Sequence, residues 1–133
     1  MRTYNLFISH SWAYCNQYNA LCQLLSERPY FRWRNYSVPK DDPIHNASTD
    51  TLLRQAIERQ MKNASVVVIL AGVYSTYSKW INIEIELAKR LGKPIVAVEY
   101  LASKHTSTIV KCNARKIVKW NTESIVAAIR ELA

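Results

Sequence analysis

The fold class is decided by the stretch Ser65-Val66-Val67-Val68-Ile69-Leu70-Ala71, the most apolar run in the chain. Its unbroken apolarity, with no alternation of polar residues, is typical of a strand that is buried on both faces at the centre of a parallel sheet. Parallel strands are joined by crossover connections of a dozen or more residues, usually helices. The run therefore predicts an α/β protein with helices on both faces of its sheet.

Strand and helix patterns alternate on both sides of this run. Before it, we predict strands at 3–9 and 31–36 and helices at 12–27 and 50–62. After it, we predict a helix within 75–92, a strand at 95–98, a short helix at 107–111, a strand at 116–118 and a terminal helix capped by Asn121 or Thr122. The alternation predicts a single domain spanning 1–133, a three-layer α/β/α fold with a five-stranded parallel sheet in the flavodoxin-like order 2-1-3-4-5.

Composition narrows the class of protein. Hydrophobic residues make up 49% and charged residues 21% of the 133 residues, which is typical of a globular domain. The sequence shows no signal peptide and no run near the roughly 20 apolar residues that span a bilayer, so we expect a cytoplasmic protein without a membrane partner. The odd number of cysteines, Cys15, Cys22 and Cys112, fits that compartment, and we expect buried free thiols.

Several kinds of site are disfavoured by residue counts and spacing. The chain has only two glycines, whereas a phosphate-binding loop needs several for close backbone approach. The histidines lie far apart with no paired spacing, so we predict no metal site. The net charge of +8 attracts anions, but the basic residues are scattered and no nucleic-acid-binding motif accompanies them. We therefore expect a basic solvated surface rather than a nucleic-acid interface.

One carboxylate stands out within 75–92. At about 100° per residue, a helix there places the apolar side chains in one broad arc, with Glu84 in its middle. Glu86 projects to the other side, among lysines and arginines, where exposed pairs stabilise a solvated helix face. A carboxylate among apolar neighbours costs free energy unless it has a partner or faces a cleft. Glu84 is thus either a functional group or half of a buried salt bridge with an arginine such as Arg54 or Arg90.

The predicted topology brings other polar residues toward the same place. Ligands of such sheets bind beyond the carboxyl ends of the strands, at the switch point between strands 1 and 3. Three segments converge there: the end of strand 1, the long loop 37–49 and the start of the Glu84 helix. Their candidate substrate-binding residues are Ser9, His10, Ser11, Asp41, Ser78 and Trp80. Each also has a plain structural role open to it, as a helix cap, a turn residue or part of the core.

A single carboxylate in such a cleft suits cleavage of the bond between nicotinamide and ribose in NAD. The leaving group is cationic and departs neutral, so that it needs no protonation. The ribosyl centre becomes oxocarbenium-like, and a carboxylate can stabilise it, as in glycosidases.

Five motifs, in order along the chain, resemble the TIR-like domains of the Thoeris antiphage protein ThsB. They are Phe7-Ile8-Ser9-His10-Ser11, Val38-Pro39-Lys40-Asp41-Asp42-Pro43-Ile44, Gly72-Val73-Tyr74-Ser75-Thr76-Tyr77-Ser78-Lys79-Trp80-Ile81, Gly92-Lys93-Pro94-Ile95 and Trp120-Asn121-Thr122-Glu123-Ser124-Ile125-Val126. Within the third motif and the helix that follows, Ser78, Trp80 and Glu84 are similar to the element that carries the catalytic glutamate of TIR enzymes. The chain departs from the common pattern at Ile81, where many members have cysteine, and at Ser11-Trp12, where several have basic residues.

The resemblance implies a flavodoxin-like TIR enzyme of antiphage defence with Glu84 as its catalytic residue. Such an enzyme has NAD glycohydrolase or ADP-ribosyl cyclase activity, uses NAD as substrate without a further cofactor, and makes a cyclic or modified ADP-ribose. A separate ThsA-type effector senses this diffusible signal. The family leaves open whether a phage-derived component activates the enzyme and whether the chain forms a homo-oligomer. The alternative is a non-catalytic TIR-like module for assembly or nucleotide binding.

Overall fold

The computed structural model describes residues 2–9, 15–37, 50–71, 78–99 and 108–133. Five strands and five helices alternate along these ranges. The strands are β1 (Thr3–Ser9), β2 (Arg32–Asn35), β3 (Val66–Ala71), β4 (Ile95–Glu99) and β5 (Lys116–Lys119). The helices are α1 (Cys15–Glu27), α2 (Asp50–Met61), α3 (Ser78–Arg90), α4 (Thr108–Asn113) and α5 (Thr122–Leu132). Each element lies within a few residues of its predicted position.

All five strands form one parallel sheet in the order β2-β1-β3-β4-β5, as predicted. The register pairs Leu6 with both Asn35 of β2 and Val66 of β3, so β1 has a neighbour on each side. Since the strands are parallel, their carboxyl ends share one edge of the sheet, at which β1 ends with Ser9. The chain switches from β1 outward to β2 and then back past β1 to β3, which makes this edge the expected ligand-binding edge.

The core lies on both faces of the sheet. The residues Val66 to Leu70 of β3 and Ile95 to Val98 of β4 are buried, which confirms the prediction of a central buried strand from the apolar run 65–71. α3 packs against α2 and α4, while α1 packs against α5. The helices therefore form the outer layers of an α/β/α fold.

Local signals set the ends of two helices. At the end of α3, the backbone N–H groups of Gly92 and Lys93 donate to the carbonyl oxygens of Lys89 (3.1 Å) and Ala88 (2.8 Å), a Schellman arrangement. Gly92 has a φ of 69°, a left-handed conformation that glycine adopts without strain. At the start of α5, the Asn121 side chain accepts a hydrogen bond from the N–H of Ser124 at 3.1 Å, so Asn121 is the cap.

The exposure of the two described cysteines differs from the prediction at one of them. Cys22 is half-buried and free, but Cys112 is exposed, so the expectation of buried thiols is wrong for Cys112. It lies in the last turn of the short helix α4, for which the sequence shows no clear apolar stripe, and that helix turns Cys112 to solvent while it buries Val110. Among the helices that the structure describes, none is long and apolar enough to cross a bilayer.

Candidate functional site

The apolar side of α3 carries Glu84 into the protein interior. Glu84 is only 1% exposed, and its burial is shared with Ile83, Ile85, Leu87 and Ala88 along the same helix. The exposed positions of α3 include Asn82, Glu86, Lys89 and Arg90. The division between the two sides follows the 3.6-residue period of an α-helix and confirms that Glu84 points inward. Of the polar or charged side chains in the described residues, only Ser9, Ser37 and Glu84 are buried.

Glu86, two residues further on, has an ordinary surface role. Its carboxylate accepts a hydrogen bond from Arg54 of α2 at 2.8 Å, and the pair links the two neighbouring helices. The hydrogen bond from Arg54 lowers the pKa of the Glu86 carboxyl below its usual value, with the charge of Arg90 acting in the same direction. Arg54, one of the two arginines considered as partners for Glu84, is thus bound to Glu86. The two glutamates of α3 have different surroundings on opposite sides of one helix.

Ser9 ends β1 at the edge of the sheet formed by the carboxyl ends of the strands, where a ligand is expected. It pairs with Ile69 of β3 in the sheet register and is 0% exposed. In the part of the chain that the structure describes, its hydroxyl oxygen has no hydrogen-bond partner. A buried hydroxyl without a partner costs free energy, so we expect this hydroxyl to bind a further group. A ligand hydroxyl or phosphate oxygen is one such partner.

A polar cluster joins β1, β2 and α1 beside Ser9. Ser37 is buried, and its Oγ accepts a hydrogen bond from the Ile8 N–H at 2.9 Å. The Asn35 side chain accepts a hydrogen bond from the Ser37 N–H at 2.9 Å and donates one to the Tyr18 hydroxyl at 2.6 Å. We call Tyr18, Asn35 and Ser37 the β1–β2 cluster. This cluster was not predicted from the sequence, although an Asn two residues before a Ser at a strand end is a signal for a side-chain turn.

Burial sets the titration of the groups around this cluster. Burial raises the pKa of the Tyr18 phenol, and its side-chain hydrogen bonds with Asn35 and Ser37 oppose that shift. Burial likewise raises the pKa of the Cys22 thiol, one turn further along α1. Both groups therefore stay protonated near neutral pH, and neither is an activated nucleophile.

The remaining predicted site residues are only partly placed. His10, Ser11 and Asp41 lie outside the described residues. The backbone of Ser78 and Trp80 lies in the first turn of α3, which starts after the carboxyl end of β3. Ser9, Ser78 and Trp80 thus belong to elements that meet at the same edge of the sheet, and Glu84 follows in the second turn of α3.

Other surface features lie away from this edge. A cavity of about 570 Å³ is formed by the second half of α1 and the start of α5, and it is lined in part by Leu24, Arg28, Trp120 and Glu123. Neither Ser9 nor Glu84 contributes to it. Within the described ranges, no three histidine, cysteine, aspartate or glutamate side chains are close enough to hold a metal ion.

Comparisons with known proteins identify a family and a fold. Residues 7–105 match the family model described as "Thoeris protein ThsB, TIR-like domain". A crystal structure of a conserved protein from Enterococcus faecalis V583 is similar with a TM-score of 0.64 and 14% identity, and the match covers 98% of this chain and 99% of that one. A 3-dehydroquinate dehydratase-like protein from Bifidobacterium longum is similar with a TM-score of 0.47 and 10% identity, over 99% and 95% of the two chains. No curated protein sequence matches.

Proposed function

The chain belongs to the family of TIR-like domains of the Thoeris protein ThsB, and on this premise we propose that it consumes NAD in antiphage defence by cleaving the bond between nicotinamide and ribose. The family match covers the segments that carry Ser9 and Glu84. The product is a cyclic or otherwise modified ADP-ribose, which a ThsA-type effector senses. NAD is the substrate, and the reaction uses no additional cofactor.

The observation that carries the proposal is the burial of Glu84 on α3. A carboxylate that is 1% exposed, on a helix side shared with buried isoleucine, leucine and alanine residues, has lost its hydration, which destabilises the fold unless its contacts compensate. Low local polarity also strengthens its attraction for a positive charge. A cationic transition state is the species that gains most from such a group.

In the proposed reaction, nicotinamide leaves as a neutral molecule and an acceptor takes its place on the ribose. The bond between ribose C1′ and the nicotinamide nitrogen breaks, and its electron pair goes to that nitrogen, which becomes neutral. Positive charge passes to the ribosyl centre, where the Glu84 carboxylate stabilises it. An acceptor oxygen or nitrogen then bonds to C1′ and releases a proton. Water as acceptor gives ADP-ribose, whereas an acceptor within the nucleotide gives a cyclic product.

Ser9 and the start of α3 supply the proposed substrate contacts. The buried Ser9 hydroxyl offers one donor and two acceptor sites to a ribose hydroxyl or a phosphate oxygen. Trp80, one turn before Glu84, offers an aromatic face for a nicotinamide or adenine ring. His10, Ser11, Asp41 and Ser78 complete the proposed contact set.

The test compares two glutamates on the same helix. Wild type, Glu84→Gln and Glu86→Gln are incubated with NAD in lysate of phage-infected cells, and the nucleotides are identified by mass spectrometry. We expect Glu84→Gln to lower turnover by at least about a hundredfold, while the exposed Glu86→Gln control keeps wild-type turnover. Equal turnover by wild type and Glu84→Gln, or none by wild type, contradicts the proposal and favours a non-catalytic module.

A further inference from the structure

The β1–β2 cluster of Tyr18, Asn35 and Ser37 replaces the last rung of the sheet between these strands. The regular ladder ends where the Tyr36 N–H donates to the Leu6 carbonyl at 2.8 Å. In a continuing parallel ladder, the Ile8 N–H would donate to a backbone carbonyl of β2. It donates instead to the Ser37 side chain at 2.9 Å. A side chain therefore holds β1 at the residue immediately before Ser9.

Ser37 is itself held in place by two other elements. The Asn35 carbonyl oxygen accepts from the Ser37 N–H, two residues on, which closes a side-chain turn. The Asn35 amide then donates to the hydroxyl of Tyr18 in α1 at 2.6 Å. The three hydrogen bonds are 2.6 to 2.9 Å long, and Ser37 is only 6% exposed. The chain of contacts runs from α1 through the end of β2 to the end of β1.

This arrangement leads to a role for the cluster in the site. We propose that Ser37, held by Asn35 and Tyr18, is a positioning residue that sets the place of Ser9 at the ligand-binding edge; the inference rests on the proposed NAD-consuming function. Ser37 reaches Ser9 through the adjoining Ile8 peptide. A small displacement of a substrate-binding group is enough to weaken substrate binding, even where the reacting carboxylate is unchanged.

The experiment uses three single-atom or near-isosteric changes and a matched control. Ser37→Ala removes the hydroxyl, Ser37→Thr keeps it, and Tyr18→Phe removes the acceptor for Asn35. Ser26→Ala is the control, because Ser26 also links α1 to β2 by a serine hydroxyl, which accepts from the Trp33 ring N–H at 3.2 Å. Ser26 lies near the carboxyl end of α1, whereas Tyr18 lies near the amino end of the same helix.

Two measurements are made on each variant, under conditions in which all are folded. Steady-state NAD turnover in activating lysate separates KM from kcat, and hydrogen exchange in the free protein reports the Ile8 amide. For Ser37→Ala we expect a KM about tenfold higher with kcat within about threefold, and faster exchange of the Ile8 amide. Tyr18→Phe should change both in the same direction, and Ser37→Thr and Ser26→Ala should resemble wild type.

The outcomes distinguish the two proposals. If Glu84→Gln loses turnover but Ser37→Ala keeps the wild-type KM, the positioning role is overturned while NAD cleavage stands. If Ser37→Thr fails to restore KM although its stability is that of wild type, the hydroxyl is not the active feature and the role is again overturned. If wild type shows no turnover, both proposals fail together. If Ser37→Ala does not fold, the KM of Tyr18→Phe decides.

Discussion

Glu84 and Glu86 lie two residues apart on α3, yet Glu84 is 1% exposed in the core and Glu86 is bound to Arg54 at the surface. The two glutamate side chains of this helix therefore contribute differently to the free energy of folding. Burial of a charge destabilises the fold unless a partner offsets it, whereas an exposed ion pair contributes little. The first two predictions follow from this contrast.

Glu84→Gln should change the free energy of unfolding at pH 7 by at least about 1 kcal/mol more than Glu86→Gln does, because it alters a buried group and its contacts, whereas an exposed ion pair contributes little. The measurement is urea unfolding followed by circular dichroism, with Glu86→Gln as the matched surface control. Changes of equal size in the two variants would contradict the prediction.

Acid should weaken the Arg54–Glu86 pair. The pKa of Glu86 is lowered in the folded protein, so the folded state binds this proton less readily than the unfolded state does. The resulting stabilisation is present above the ordinary glutamate pKa of about 4.3 and is lost as pH falls through the lowered value. Between about pH 6 and about pH 3, we expect the free energy of unfolding of Glu86→Gln to fall less than that of wild type. Unfolding curves that fall in parallel would contradict this.

Cys112 should react with thiol reagents faster than Cys22 at pH 7.5, by at least about tenfold. Cys112 is exposed, whereas Cys22 is half-buried and burial raises the pKa of its thiol, which lowers the reactive thiolate fraction. Timed labelling with iodoacetamide, followed by peptide mass spectrometry, measures both rates in one sample. Equal rates in the folded protein, with urea-unfolded protein as the reference, would contradict the prediction.

Gly92→Ala should destabilise the protein by about 1 kcal/mol, because an L-residue is strained at a φ of 69°. The strain is conformational and not a clash, since an added Cβ at Gly92 would meet no atom within 4 Å. Gly92→Asn should therefore recover part of the loss, as asparagine tolerates this conformation. Thermal unfolding of the two variants tests the order, and equal losses would show that the backbone conformation is not the cause.

The α/β/α architecture could be predicted from the sequence because the signals for it are local. The apolar run of β3 and the alternation of strand and helix patterns depend on residues close in the chain, and both the strand order and the inward side of α3 were confirmed. The assignment of Glu84 rather than Glu86 to the interior needed only the helical period. NAD cleavage and the contact residues stay predictions, for which the experiments above are designed.

The polar contacts between distant segments could not be predicted in the same way. Ser37 and Ile8 are 29 residues apart in the chain, and Arg54 and Glu86 are 32 apart. Such pairs depend on the register of β1 against β2 and on the packing of α2 against α3, which no local pattern encodes. Cys112 was misassigned for a similar reason, since the direction of a side chain on the six-residue helix α4 depends on how that helix packs against α3 and β4.

The sequence by itself thus determined the α/β/α fold and the inward direction of Glu84, because hydrophobic periodicity ties each residue to a face of its own helix or strand. Only the tertiary structure decided that Arg54 pairs with Glu86 and that Ser37 holds β1 beside Ser9. The physical reason is that hydrogen bonds act over about 3 Å, so their partners are settled only when distant segments have packed together.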